Sequence, residues 1–267
     1  MMNWLAGLAL RATIVAILGF LLAPLVVIVV VSFGDAAFMQ FPPKGLSFRW
    51  YANIDQLEGF FDAVVISLKL AVLSTVIVLV LGVAASLALT RHRFAGRGAA
   101  MSLFLSPLML PSIVIGIGLL QYYTSLGFFS TFTALVLGHC AIVFPYMVRT
   151  VASSLEQQDE SVIEASRVLG ADAVQTFAHI IVPSIRPGLI NGAIFAFIMS
   201  FDNYSVSLFL SDAATQTLPI RMLTYVAMAI DPTVAAASTL LILFSMLQLL
   251  VAGWLIGVRR IGGLAGK

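Results

Sequence analysis

Residues 153–187 read SSLEQQDESVIEASRVLGADAVQTFAHIIVPSIRP, a polar stretch set between two long apolar segments. Such a stretch leaves the membrane and returns to it, so it divides the chain into spans on either side. Its own pattern is that of two short helices. Ser161 stands as N-cap with Glu164 three residues later, a capping-box spacing. Glu164-Ala165-Ser166-Arg167-Val168-Leu169 continues as a helix that Gly170 ends at the first position beyond it, where a left-handed turn is needed. Residues 171–181 suit a second helix, running back toward the membrane before Pro183 and Pro187. Ala165 and Ser166 are small enough for another surface to come close, Val162, Ile163 and Leu169 offer apolar contact, and Glu164 adds a charge. The residues alone fit a docking knuckle or an ordinary helical hairpin, because each signal is common by itself.

The rest of the composition sets the solvent. Of 267 residues, 61% are hydrophobic and 10% charged, with a mean hydropathy of +1.07. That surface cannot be kept in water, and the apolar residues run along the whole chain, so an integral membrane protein is expected. The reading is one transmembrane domain over 1–267, with the loop at 153–187 inside it. A net charge of +2, carried in short clusters, argues against a nucleic-acid partner and for topology signals beside membrane lipid. The single cysteine, Cys140, leaves no internal disulfide and no thiolate metal site.

About 20 apolar residues cross roughly 30 Å of hydrocarbon. Six segments qualify: 12–33, 63–90, 99–120, 132–151, 188–210 and 234–258. The first is too long for a signal-peptide core and lacks a small-residue cleavage site, so it reads as an anchor. Ten basic residues fall on one side: Arg11; Arg91, Arg93 and Arg97; Arg149, Arg167 and Arg186; Arg259, Arg260 and Lys267. Lys44, Arg49 and Arg221 fall on the other, with Lys69 near the outer end of the second span. The first side is therefore expected to be cytoplasmic, with both termini inside. The outer loop 34–62 carries Trp50 and Tyr51, which suit an aromatic belt or an external partner. Ser106-Pro107, Leu110-Pro111 and Gly116-Ile117-Gly118 should break or bend the third span, which is tolerated only where protein or water satisfies the freed backbone.

The polar loop resembles the EAA motif of type I ABC importer permeases. Glu164, Ala165, Gly170, Ile180 and Pro183 match it, while Ser166 stands for a second alanine and Val182 for a leucine. The six-span pattern extends the resemblance over nearly the whole chain. It implies an all-α polytopic protein with six transmembrane helices of the type I permease fold, located in the bacterial inner membrane. It also implies that Glu164, Ala165, Ser166, Arg167, Gly170 and Pro183 couple the chain to an ABC ATPase dimer, which binds ATP and Mg; this chain would hold no cofactor and catalyse no reaction. A second permease subunit and a periplasmic solute-binding protein complete the expected assembly.

Residues 200–207, Ser-Phe-Asp-Asn-Tyr-Ser-Val-Ser, and Leu218-Pro219-Ile220-Arg221 look like the polyamine (spermidine/putrescine) branch of that family, which also transports relatives such as opines and aminophosphonates. Asp202, Asn203 and Tyr204 are the pathway candidates. A carboxylate inside a span costs about 2.5–3.5 kcal/mol on insertion scales and turns to a partner or a wet cavity. It would meet a cationic amine, or serve structure by bonding Asn203, Tyr204 or a neighbouring helix. His139 beside Cys140 suits helix packing better than a metal or proton relay, and His92 and His179 suit solvated cytoplasmic positions. Tyr122, Tyr123, Phe128 and Phe129 suit the outer interface. Residues 262–267 end in Gly-Lys but lack the remaining P-loop residues. The rival class is a secondary transporter driven by an ion gradient, where internal repeats and several intramembrane charges would be usual.

Overall fold

The computed structural model describes residues 2–127, 130–228 and 231–264, and among them the regular structure is helical. In chain order the helices are α1 (Met2–Ser32), α2 (Arg49–Ala52), α3 (Phe60–Arg91), α4 (Arg97–Leu105), α5 (Ser112–Ser125), α6 (Thr131–Glu156), α7 (Glu160–Val168), α8 (Ala173–Thr176), α9 (Val182–Phe201), α10 (Ser205–Leu210), α11 (Leu218–Met228) and α12 (Pro232–Leu264). Phe128, Phe129 and residues 265–267, including Lys267, lie outside the described residues. Five helical stretches are long and apolar enough to cross a bilayer: Leu10–Ser32, Phe60–Arg91, Thr131–Glu156, Ala173–Phe201 and Pro232–Trp254. A sixth crossing exists if Arg97–Met109 and Ser112–Ser125, bent by 107° at their junction, make one span.

That bend confirms the expected break in the third span and locates it. Leu110 is extended and Pro111 precedes α5, since a residue before proline is driven out of helical geometry. The Gly116-Gly118 pair does not break anything. Gly116 lies inside α5, where an added Cβ would come 2.8 Å from the Phe209 ring and 3.1 Å from the Ser205 carbonyl. The glycine is there for close approach of α10.

The fifth span differs from expectation at both ends. It begins at Ala173 rather than near 188, and ends at Phe201 rather than 210. Pro183 and Pro187 do not stop the helix. A π-helical turn over Phe177–Ile181 precedes them, with the Val182 amide bonded to the Phe177 carbonyl five residues back. At Pro183 the wider turn displaces the carbonyl that the ring would otherwise strike, whereas Pro187 lies inside α9 itself.

Two compact units emerge, residues 1–60 with Met222–Gln248, and Phe61–Arg221 with 249–267. In the first, the outer loop is locked rather than simply floated at an interface. Trp50 is buried and donates its Nε1–H to the Gly34 carbonyl at 2.8 Å, and the Ser32 and Tyr51 hydroxyls meet at 2.7 Å. In the second, α6 and α9 form the core. Leu135, Val143, Met147, Val151, Leu155 and Ile185 are fully buried or nearly so. Gly188 and Gly192 let the two helices touch: a Cβ at Gly188 would sit 2.7 Å from the Thr150 carbonyl, and one at Gly192 2.6 Å from the Met147 sulfur and the Thr150 hydroxyl. Small residues at such crossings are how membrane helices pack where lipid offers no hydrophobic drive between them. On the other side of α6, Ser86 of α3 donates to the Val148 carbonyl at 3.1 Å.

Candidate functional site

The loop folds as a knuckle made of one short helix, α7, and the first turn, α8, of the continuous Ala173–Phe201 helix, and its caps differ from the sequence reading. Asp159, not Ser161, is the N-cap of α7, its Oδ1 accepting the Ser161 amide at 2.9 Å; that bond holds the carboxyl below the usual carboxylate range. Ser161 already lies in the helix. The reciprocal capping box belongs to α8, where Asp172 accepts the Gln175 amide at 2.7 Å and Gln175 accepts the Asp172 amide at 3.1 Å. Gly170 does end α7 as expected, with φ +88°. The Ala171 amide reaches the Ser166 carbonyl and the Gly170 amide the Arg167 carbonyl, both at 3.0 Å, which is the Schellman pattern.

The faces of the knuckle sort its residues. Ser166 is buried, donating to the Ile163 carbonyl at 2.7 Å and lying 3.2 Å from the Thr176 hydroxyl of α8. Ser166 therefore ties α7 to α8, and neither it nor the buried Ile163 is presented outward. Glu164, Ala165, Arg167 and Gly170 are exposed. So are Val168 and Leu169, each 87% accessible, and Val174 at 74%. Val168 and Val174 were missed by the sequence reading, because a valine in an apolar chain carries no signal until its face is known. Pro183 is exposed at the start of α9. At the approach to α7, Arg91 of α3 donates to the Leu155 carbonyl (3.2 Å), the Gln158 side chain (2.7 Å) and Glu160 (3.4 Å). Its role in the sequence was only that of a topology charge.

The second cluster is the break between α9 and α10. Asp202 closes α9, and α10 starts at Ser205, so Asp202 sits at a helix end rather than within a continuous span. Asn203 spends its side-chain oxygen on the Val206 amide, in the first turn of α10, at 2.9 Å. Asp202 is exposed on this chain, Tyr204 half-buried, and among the described residues the Asp202 carboxylate has no hydrogen-bond partner. Bonding to Asn203 or Tyr204, one of the two roles considered for it, is not what the geometry shows. His139 of α6 is fully buried, with Nδ1 2.8 Å from the Ser200 hydroxyl and Nε2 3.0 Å from the Ser207 hydroxyl. It packs between helices, as the sequence suggested, but what it packs against was not legible. Among the described residues no group of three potential metal ligands forms.

Residues 78–258 match the family described as binding-protein-dependent transport system inner membrane component. The chain is similar to the spermidine/putrescine transport system permease protein PotC of Haemophilus influenzae, at 29% identity over 236 residues, 88% of this chain and 91% of the relative. It is 29% identical to the putrescine transport system permease protein PotI of Escherichia coli K12 over 86% of this chain and 84% of the relative. Among solved structures, a bacterial ABC transporter importing the acidic polysaccharide alginate superposes with a TM-score of 0.75 at 17% identity, covering 97% of this chain and 96% of the other. The inward-facing MetNI methionine transporter gives 0.62 at 19% identity, over 76% and 97%.

Proposed function

This chain belongs to the family of binding-protein-dependent transport system inner membrane components, a permease subunit of an ABC importer, and from that premise we propose that it carries an amine-bearing solute, a polyamine or a close relative, driven by a partner ATPase. The observation that carries the reading is the knuckle: α7 turned back on the start of the Ala173–Phe201 helix, with an exposed face that joins Glu164 and Arg167 to Val168, Leu169 and Val174. Apolar side chains held out in this way, rimmed by charge, mark a protein-binding surface. The partner is the ABC ATPase dimer, which holds ATP and Mg. A second permease subunit and a periplasmic solute-binding protein complete the complex, in the inner membrane with both termini cytoplasmic.

The amine follows from Asp202. Exposed on this subunit, without a hydrogen-bond partner among the described residues and at the end of the fifth span, a carboxylate is stabilised only by a cation, a partner subunit or water. The spermidine/putrescine and putrescine relatives agree with a cationic solute. Comparison lends no support to the ion-gradient alternative. Affinity purification of the tagged chain in detergent should bring down a stoichiometric ATPase; purification of the chain without one contradicts the reading.

A further inference from the structure

Around the α9–α10 break, α10 is a six-residue segment held apart from α9. Gly116 and Gly138 admit it on two sides: a Cβ at Gly138 would lie 2.5 Å from Leu210 and 3.1 Å from Val206, and one at Gly116 would meet Phe209 and Ser205. A short helix with an unwound junction has little stability of its own, so its angle to α9 depends on what grips both sides. His139 does. Its two ring nitrogens reach Ser200, in the last turn of α9, and Ser207, in α10.

The hydrogen-bond sense follows from counting protons. The Ser207 hydroxyl has one proton, and it goes to the Asn203 carbonyl at 2.8 Å. Its oxygen is then free to accept from His139, which corresponds to the tautomer with the ring proton on Nε2. In that tautomer Nδ1 accepts from the Ser200 hydroxyl. A neutral imidazole satisfies every partner, and the series Ser200, His139, Ser207, Asn203 runs from the end of one half-helix across α6 to the backbone of the break itself.

We propose that His139 is a positioning residue that clamps the α9–α10 break through Ser200 and Ser207, and so holds Asp202 outward. The clause about Asp202 rests on the pathway reading above; the clamp itself does not.

Two measurements on the intact complex in lipid nanodiscs and vesicles test it. In amide hydrogen exchange, His139→Leu should speed exchange of amides 203–207 at least tenfold and leave α7 unchanged. No change there, or an equal rise throughout α6 and α9, overturns the clamp. In putrescine uptake, His139→Leu and Asp202→Asn should each lower the rate, and in the Asp202→Asn background the leucine change should add less than a twofold loss. Multiplying losses would show that His139 does not act through Asp202. If Asp202→Asn alone leaves uptake unchanged, the pathway reading falls and the exchange result still decides the clamp. Should the leucine variant fail to assemble, Ser207→Ala, which removes one bond and little volume, takes its place in both measurements.

Discussion

Arg91 Nη2 donates to the Gln158 side-chain oxygen at 2.7 Å, binding the C-terminal end of α3 to the chain just before the knuckle. The same nitrogen reaches the Leu155 carbonyl at the end of α6. The third contact, to the exposed Glu160, contributes little, since solvent screens such pairs. What Arg91 supplies is a second attachment, so that displacement of the knuckle is felt by α3 as well as by α6. Arg91→Ala should cost about 1–3 kcal/mol through the lost charged hydrogen bonds and raise the ATP hydrolysed per solute transported. An unchanged ratio in reconstituted vesicles would confine Arg91 to stability.

Gly170 occupies φ +88° with open space around it, so a side chain there strains the backbone without a clash. Gly170→Val should cost about 1–3 kcal/mol locally and re-aim α8 against α7. Glu164→Lys should reverse a charge that the knuckle presents outward. For both, transport should fall further than membrane expression measured by immunoblot; equal falls would make the loop a passive connector.

The α6–α9 crossing makes a different forecast. Gly192→Leu inserts four carbons where a Cβ alone would meet Thr150 and Met147, and overpacking of that kind costs about 1–3 kcal/mol or more. Thermal unfolding of the purified complex should shift well below wild type, while the same change at Gly118, which has open space around its Cβ position, should shift it little. Similar shifts at both glycines would mean the crossing is not tight.

What the sequence showed and what it hid separate along physical lines. Spans, the 110–111 break and the turn at Gly170 were legible because hydropathy, proline and positive φ act within a few residues. The cap was misread at Ser161 because Asp159, two residues earlier, binds the same free amides. Ser166 was expected at the docking face, but helix phase turns it onto Thr176. Pro183 and Pro187 suggested a stop, since nothing local announces a π-turn. The His139 clamp and the Arg91 attachment join residues 61–69 positions apart, beyond any local signal.

Sidedness follows from the ten-to-three division of basic residues and the position of Arg91 beside the knuckle. Reporters fused after Gly96 and Asp172 should be cytoplasmic, and those after Asp55 and Asp212 external. An external signal at Asp172 would remove the docking site from the reach of any ATPase.

The central claim is that solute movement through this chain is driven by ATP hydrolysed on a partner that grips the knuckle. Its most direct test is uptake of radiolabelled putrescine or spermidine into vesicles holding the purified complex, with binding protein outside and ATP inside. Uptake should require ATP and the binding protein, and should be lost in Gly170→Val despite normal assembly. Uptake that proceeds without ATP under an imposed ion gradient, and that is indifferent to Gly170, would contradict it.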